Sequence, residues 1–182
     1  MLISEAEELL RNNSINFERL EYANETEYYK HTMPDIAIKS FLPSKVIAWV
    51  IRNENNLKNI ELQFTEKNGD FSFTDLWFGD FSFELFHIEE EFLAGEILSK
   101  ISDIRQDSLV FIALYSLTKK GKRWIAGSSY DRNDVDDDLF GELGFQKAMK
   151  KIQKKKSFIS RLFRIKLQYE VFSWNSYDVF IK

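Results

Sequence analysis

Residues 60–86, IELQFTEKNGDFSFTDLWFGDFSFELF, alternate apolar and polar side chains over long runs and break twice, at Asn68-Gly69 and at Gly79-Asp80. A period of two sends successive side chains to opposite faces of a strand, and Asn-Gly readily supplies the two positive φ angles of a tight hairpin turn. The stretch therefore predicts a three-stranded antiparallel meander. Trp77 and Phe78 are adjacent within it and point to opposite faces, so one of them needs cover from a helix, a loop or a partner. That makes Trp77 a candidate interface residue.

Outward from the meander, residues 45–53 (KVIAWVIRN) are rich in β-branched and aromatic side chains and too short for an independent helix, which predicts a buried strand. Residues 89–107 restore helical spacing through Phe92, Ile97, Ile101 and Ile104. Glu89, Glu90 and Glu91 stand in the first turn, where the helix dipole favours acids. LVFIALYSLT (109–118) and RWIAGSSYD (123–131) flank Lys119-Lys120-Gly121-Lys122 and read as another hairpin. A helix over about residues 144–156 and two closing strands, QYEVFSW and YDVFIK, complete the C-terminal part. At the N-terminus, Ser4 with Glu7 three residues on has the form of a capping box, and Ile3, Ala6, Leu9 and Leu10 share a helical face. Strands are predicted around 17–22 and 36–42, with TEYYKHTMP (26–34) as a loop between them. No repeat or proline-rich linker divides the chain, so the expectation is a single α+β domain over residues 1–182. Its sheet is mainly antiparallel, several helices pack against it, and Trp49, Phe73, Phe111, Ile112 and Phe172 lie in the core.

At 182 residues such a domain buries about 70% of the surface its unfolded chain exposes. With aromatics at 15% and 17 phenylalanines, the chain has ample apolar surface to offset its ordering entropy. Cysteine is absent, which removes disulfides, thiolate metal sites and cysteine nucleophiles and suits a reducing compartment such as the cytoplasm. The first residues carry acids where a secretory signal carries bases, and no apolar run approaches the ~20 residues of a membrane span. The expectation is a cytoplasmic protein away from the membrane.

The formal charge of −4 conceals a division: residues 1–142 hold 27 acids against 15 bases, whereas residues 143–182 hold two acids against ten bases. Between the halves runs DRNDVDDDLFGELGFQKAMKKIQKKK (131–156). Counted as a calcium loop from Asp131, it offers Asn133 and Glu142 at ligand positions, but Val135 stands where an oxygen is needed and Asp136 where glycine makes the turn. A solvated acidic loop, favoured at the start of the following helix, is the better reading. In that helix Phe145, Ala148, Met149 and Ile152 form an apolar stripe, and Lys147, Lys150, Lys151, Lys154 and Lys155 fall mainly on the other side. A basic amphipathic helix can follow a phosphate backbone or lie on an anionic membrane. It is also the form of an ordinary docked helix with a lysine-rich solvated face, and it lacks the interleaved side chains that read bases.

Catalytic sets are missing. His31 and His87 have no histidine neighbour in sequence, and His87 with Glu91 has metal-ligand spacing only if both are helical. Gly127-Ser128-Ser129 lacks the second glycine of a nucleophile elbow and reads as the small-residue end of a strand, and no GxGxxG or GxxxxGK phosphate loop occurs. Pairs such as Asp75 with Asp80, or Glu89 with Glu91, are too numerous among 29 acids to single out a general acid and base.

The C-terminal segments GELGFQKAMKKI, SFISRLF and QYEVFSWNS resemble the end of certain small immunity proteins of bacterial polymorphic-toxin systems. This resemblance covers roughly a quarter of the chain. It implies a cytoplasmic protein without enzymatic activity or cofactor that binds and blocks a cognate toxin domain. It transfers no contact residue. The charge pattern adds its own expectation: a toxin acting on nucleic acid has a basic cleft, which clustered carboxylates oppose. Asp131, Asp134, Asp136, Asp137 and Asp138, together with Trp77, are the expected partner-binding residues, and no metal ligand or catalytic residue is assigned. Two alternatives follow from other residues: a nucleic-acid-associated regulator using the lysine-rich helix, and a metal-dependent hydrolase with Asp131, Asp136 and Glu142 as ligands. The acidic body repels polyanions, so nucleic acid ranks below a protein partner.

Overall fold

The computed structural model describes residues 1–32, 44–83, 85, 87–118, 121–132, 150, 152 and 166–181. The chain divides into two compact units, Met1–Ser102 and Asp103–Lys182. The first contains α1 (Ile3–Asn12), β1 (Glu18–Tyr22), α2 (Glu25–Thr32), β2 (Val46–Ile51), β3 (Ile60–Lys67), β4 (Asp70–Phe78), β5 (Phe81–Phe83) and most of α3 (Glu90–Arg105). The second contains β6 (Leu109–Thr118), β7 (Gly121–Asp131), β8 (Leu167–Phe172) and β9 (Tyr177–Ile181). Both sheets are wholly antiparallel, with strand orders β1-β2-β3-β4-β5 and β7-β6-β8-β9. This is the α+β, mainly antiparallel class expected. Helices are fewer than expected, with three complete ones among the described residues. None is long and apolar enough to cross a membrane.

The meander forms where the alternation places it. Lys67 pairs with Asp70 across Asn68-Gly69, whose φ angles of 57° and 90° are both positive, as a type I′ turn requires. Gly79, at φ 58°, turns β4 into β5 with Phe78 against Phe81. A Cβ there would stand 2.9 Å from the Lys58 side chain, a second reason for glycine. The alternation is not continuous, however. Gln63 pairs with Asp75 and Phe64 with Phe73, so Thr74 is an extra residue in a bulge, and its hydroxyl donates to the Gln63 carbonyl at 3.1 Å. The bulge brings Phe73 as well as Leu76 and Phe78 to the face of Phe64 and Leu62. Phe73 itself is only half-buried there, unlike Trp49, Phe111, Ile112 and Phe172, which are buried as expected.

Every residue of β2 is buried, because both faces of its sheet are covered. On one face Trp49 stacks on Phe17 with centroids 4.5 Å apart and tilts against Phe64 at 4.6 Å. Helix α1 buries Ala6 and Leu10 and runs beside β4, where Phe73 N–H donates to the Met1 carbonyl at 3.1 Å. Its cap differs from the expected Ser4–Glu7 box: Glu5 accepts the Leu2 N–H at 2.6 Å, and Glu7 pairs with Arg11 one turn on. On the other face Tyr28 packs with Val46 and Ala48, flanked by Tyr22 and Tyr29.

Tyr28 and Tyr29 belong to α2, a helix in the stretch expected to be a loop. Asn24 Oδ1 accepts the Glu27 N–H at 2.9 Å and the Glu27 carboxylate reaches back to Ala23 N–H at 2.8 Å, so the helix start is capped by its own residues. Aromatic anchoring then outweighs its weak amphipathic pattern. Helix α3 matches expectation in position but turns a slightly different face inward: Leu93, Ile97, Ile101 and Ile104 are buried and Phe92 is 59% exposed. Steps of four, four and three keep the buried set on one stripe, which Phe92 misses. The expected strand at 36–42 lies outside the described residues.

In the second unit the hairpin β6–β7 and the closing pair β8–β9 form as expected. Ile112, Leu114, Leu167 and Tyr169 make one core cluster with Ile152. Ile152 is helical and buried whereas Lys150 is helical and exposed, in keeping with the predicted stripe and lysine face; the rest of residues 145–156 lies outside the described set.

Candidate protein interface

An antiparallel sheet can leave unpaired backbone groups on its outer strands, and among the described residues the outer strands are β1, β5, β7 and β9. Three carry features that blunt an edge. In β1, Glu18, Arg19 and Glu21 are charged; β5 has three residues; β7 carries Lys122 and Arg123 after its first residue and sits opposite a register shift at Leu114/Tyr115. β9 has none of these. Its five residues, Tyr-Asp-Val-Phe-Ile, hold one charge and no proline, its register with β8 is regular, and all five are exposed. Val179 is 43% exposed, Phe180 52% and Ile181 63%, so large apolar side chains face solvent on both sides of the strand.

Registry fixes which way the backbone faces. Ser173 N–H donates to the Ser176 carbonyl at 2.9 Å and closes the β8–β9 turn. Alternation along the ladder then directs the N–H and C=O of Asp178 and Phe180 toward β8 and those of Val179 and Ile181 away from it. The strand was legible in the sequence, but its position at the edge was not. A usable signal existed in Val179-Phe180-Ile181, three successive apolar residues that give a strand no polar face.

Trp77, the aromatic candidate from the sequence, finds its cover inside the first unit. Its indole Nε1 donates to Gln63 Oε1 at 3.1 Å, and its ring lies edge-on to Tyr29 of α2 at 6.1 Å. Tyr29 Oη reaches the same Gln63 oxygen at 3.4 Å, and Tyr28 Oη donates to Glu61 at 3.3 Å. Trp77 is half-buried and Phe78 fully buried. Nearby, burial pushes the Asp75 carboxyl up, while the 3.2 Å hydrogen bond from Ser82 works the other way. Burial, with the Glu61 carboxylate adding to it, also raises the Tyr28 phenol well above its ordinary value and Tyr22 to about 12. Because these folded-state values lie above the unfolded ones, their stabilisation is complete below about pH 10 and is lost as pH rises through the folded values. Absorbance at 295 nm is expected to show Tyr22 ionising near pH 12 and Tyr28 later than an ordinary phenol, together with loss of structure; full phenolate formation near pH 10 with structure intact would contradict this.

Of the five expected acidic residues, Asp131 is described. It ends β7, paired with Leu109, and is half-buried. Asp134, Asp136, Asp137 and Asp138 lie outside the described residues, as do Asn133, Val135 and Glu142 of the calcium-like count. Asp131 and Trp77 belong to different units. His87 sits exposed in the turn before α3, as expected for a strand-to-helix corner, while Gly127-Ser128-Ser129 falls inside β7 rather than at its end. Among the described residues no three histidine or acidic side chains converge as a metal site.

A buried charge pair marks the second unit. Glu170 has no exposed surface and accepts Lys122 Nζ at 2.7 Å and Gln168 Nε2 at 2.7 Å, with the lysine ammonium also 4.4 Å from the Tyr115 ring centre. In the first unit a cavity of about 550 Å³ lies between α1 and the Trp49 face. Its arginines are already engaged, Arg11 with Glu7 and Arg19 with Glu21. Comparison with protein-family models, curated proteins and solved structures finds no match to this chain.

Proposed function

We propose that the chain is a non-enzymatic protein-binding module, an immunity-type inhibitor that binds and blocks a cognate bacterial toxin domain in the cytoplasm and needs no cofactor. The observation that supports this reading best is β9, the last strand of its sheet among the described residues, where the apolar side chains of Val179, Phe180 and Ile181 are exposed. Strand addition and apolar anchoring are two ways in which a protein partner gains affinity at such a surface. The acidic stretch Asp131, Asp134, Asp136, Asp137 and Asp138 has a separate role in this reading: it steers a basic partner during encounter.

Affinity capture of the tagged chain from its native cells is expected to bring down one protein in stoichiometric amount, whose toxicity the chain suppresses. With that partner purified, Phe180→Ala is expected to weaken binding about tenfold, chiefly through faster dissociation. Replacing Asp134, Asp136, Asp137 and Asp138 by asparagine is expected to slow association and flatten its salt dependence. Recovery of nucleic acid in place of a protein, or a partner indifferent to both sets of changes, would overturn the reading.

A further inference from the structure

We infer that the cavity between α1 and the Trp49 face binds a small organic monoanion, a carboxylate carried on a flat aromatic body. The turn after α1 builds one wall of it. Ser14 adopts φ 54°, its N–H donates to the Arg11 carbonyl at 3.0 Å, and Ile15 N–H donates to the Leu10 carbonyl at 2.9 Å. The chain thereby reverses and carries Ile15, Asn16 and Phe17 along the cavity. Its floor is apolar, with Ile15 and Trp49 buried. Phe17 stacks on Trp49 by one face yet is only half-buried, which leaves part of its ring to the cavity as a surface for a second stacked ring. A volume of about 550 Å³ is within the range of small-molecule sites.

Charge selects the ligand. Arg11, Arg19 and Glu7 line the cavity and sum to one positive charge. Arg11 directs Nε and Nη2 to a single Glu7 oxygen, which leaves Nη1 for a ligand, and Arg19 meets Glu21 through Nη2. Both pairs lie at the surface, with the arginine side chains 70% and 49% exposed, where water weakens an ion pair enough for a ligand carboxylate to share or replace the acid. The exposed Asn16 amide adds a neutral donor and acceptor beside them. A dianion exceeds the single positive charge and meets the Glu7 carboxylate, whereas a neutral ring leaves the guanidinium groups unused. The cavity lies wholly in Met1–Ser102 and β9 in the other unit, so this site and the partner reading stand or fall separately.

Nuclear magnetic resonance of the intact, isotope-labelled chain with indole-3-acetate as probe tests the site. Of the four tryptophan Nε1–H resonances, that of Trp49 is the one missing from Trp49→Phe. The probe is expected to shift the Trp49 resonance and the Arg11 and Arg19 Nε–H resonances saturably, with half-saturation at about 1 mM or below for a ligand of about a dozen heavy atoms. Indole-3-acetamide keeps the rings without the charge, and acetate keeps the charge without the rings; each is expected to bind at least about tenfold more weakly. Arg19→Gln is expected to weaken binding of the probe about tenfold. Glu7→Gln raises the local charge and releases Arg11, and is expected to tighten it severalfold. Both substitutions fall on side chains at the surface, so the rest of the spectrum is expected to stay in place. No saturable shift up to about 5 mM probe, equal binding of the amide, or an affinity indifferent to both substitutions would overturn the proposal.

Discussion

Trp49→Ala is expected to destabilise the chain by about 3–5 kcal/mol, one of the two largest single-residue effects anticipated. The side chain is wholly buried in the central strands of its sheet, stacked on Phe17 and tilted against Phe64, so its removal leaves a void walled by rings that cannot close in. At this chain length each kcal/mol corresponds to about 2–4 °C in the melting temperature. Trp49→Phe should behave differently. The indole Nε1 is buried and has no hydrogen-bond partner, so exchanging it for a phenyl ring removes an unsatisfied donor while giving up part of the volume. A loss below about 1.5 kcal/mol is expected. Urea unfolding of both variants separates the contributions. Equal losses would show that ring volume alone matters, and a negligible effect of alanine would contradict the packing account. Calorimetry of the same variants also tests the expectation of a single cooperative domain, which predicts one transition that shifts as a whole.

The second large effect is expected at the buried ion pair. Lys122→Met keeps the aliphatic stem but removes the ammonium, leaving Glu170 charged, unexposed and without its lysine. Breaking such a pair costs about 3–5 kcal/mol when both partners are fully buried; with Lys122 partly exposed, about 2–4 kcal/mol is expected. Replacing both partners, Lys122→Met with Glu170→Met, is expected to recover most of that loss, because two well-packed apolar side chains no longer carry the desolvation of a carboxylate. A double variant as unstable as the sum of the two single variants would show that the pair is not an isolated unit.

The candidate interface was only partly legible before the structure. Trp77 was singled out because an adjacent aromatic pair must face both ways, and that geometry is correct. Its cover, however, comes from Tyr29 on a helix that the chain hides in a polar-looking stretch. The Asn24–Glu27 pairing at the start of α2 was available as a capping signal and was outweighed by the weak periodicity after it. The position of β9 at the end of its sheet was less legible: Val179-Phe180-Ile181 give the strand no polar face, but a strand in the middle of a sheet can have the same composition.

Local chemistry was enough to determine the antiparallel class, the meander with its Asn68-Gly69 turn, the buried strand around Trp49 and the two C-terminal hairpins. Each depends on side-chain alternation, β-branching or turn residues within a few positions, and short-range sterics and hydrogen bonding act over that distance. Tertiary structure decided the Thr74 bulge that changes which β4 residues face Phe64, the stripe of α3 that turns inward and excludes Phe92, the burial of Glu170 against Lys122, and the exposure of β9. These depend on which strand becomes the neighbour of which, and residues as far apart as Lys122 and Glu170 meet only when β7, β6 and β8 are assembled side by side. Hydrophobic burial rewards covering apolar surface without specifying what covers it, so a strand's place in the sheet follows from the assembled pairing and not from the strand's own residues.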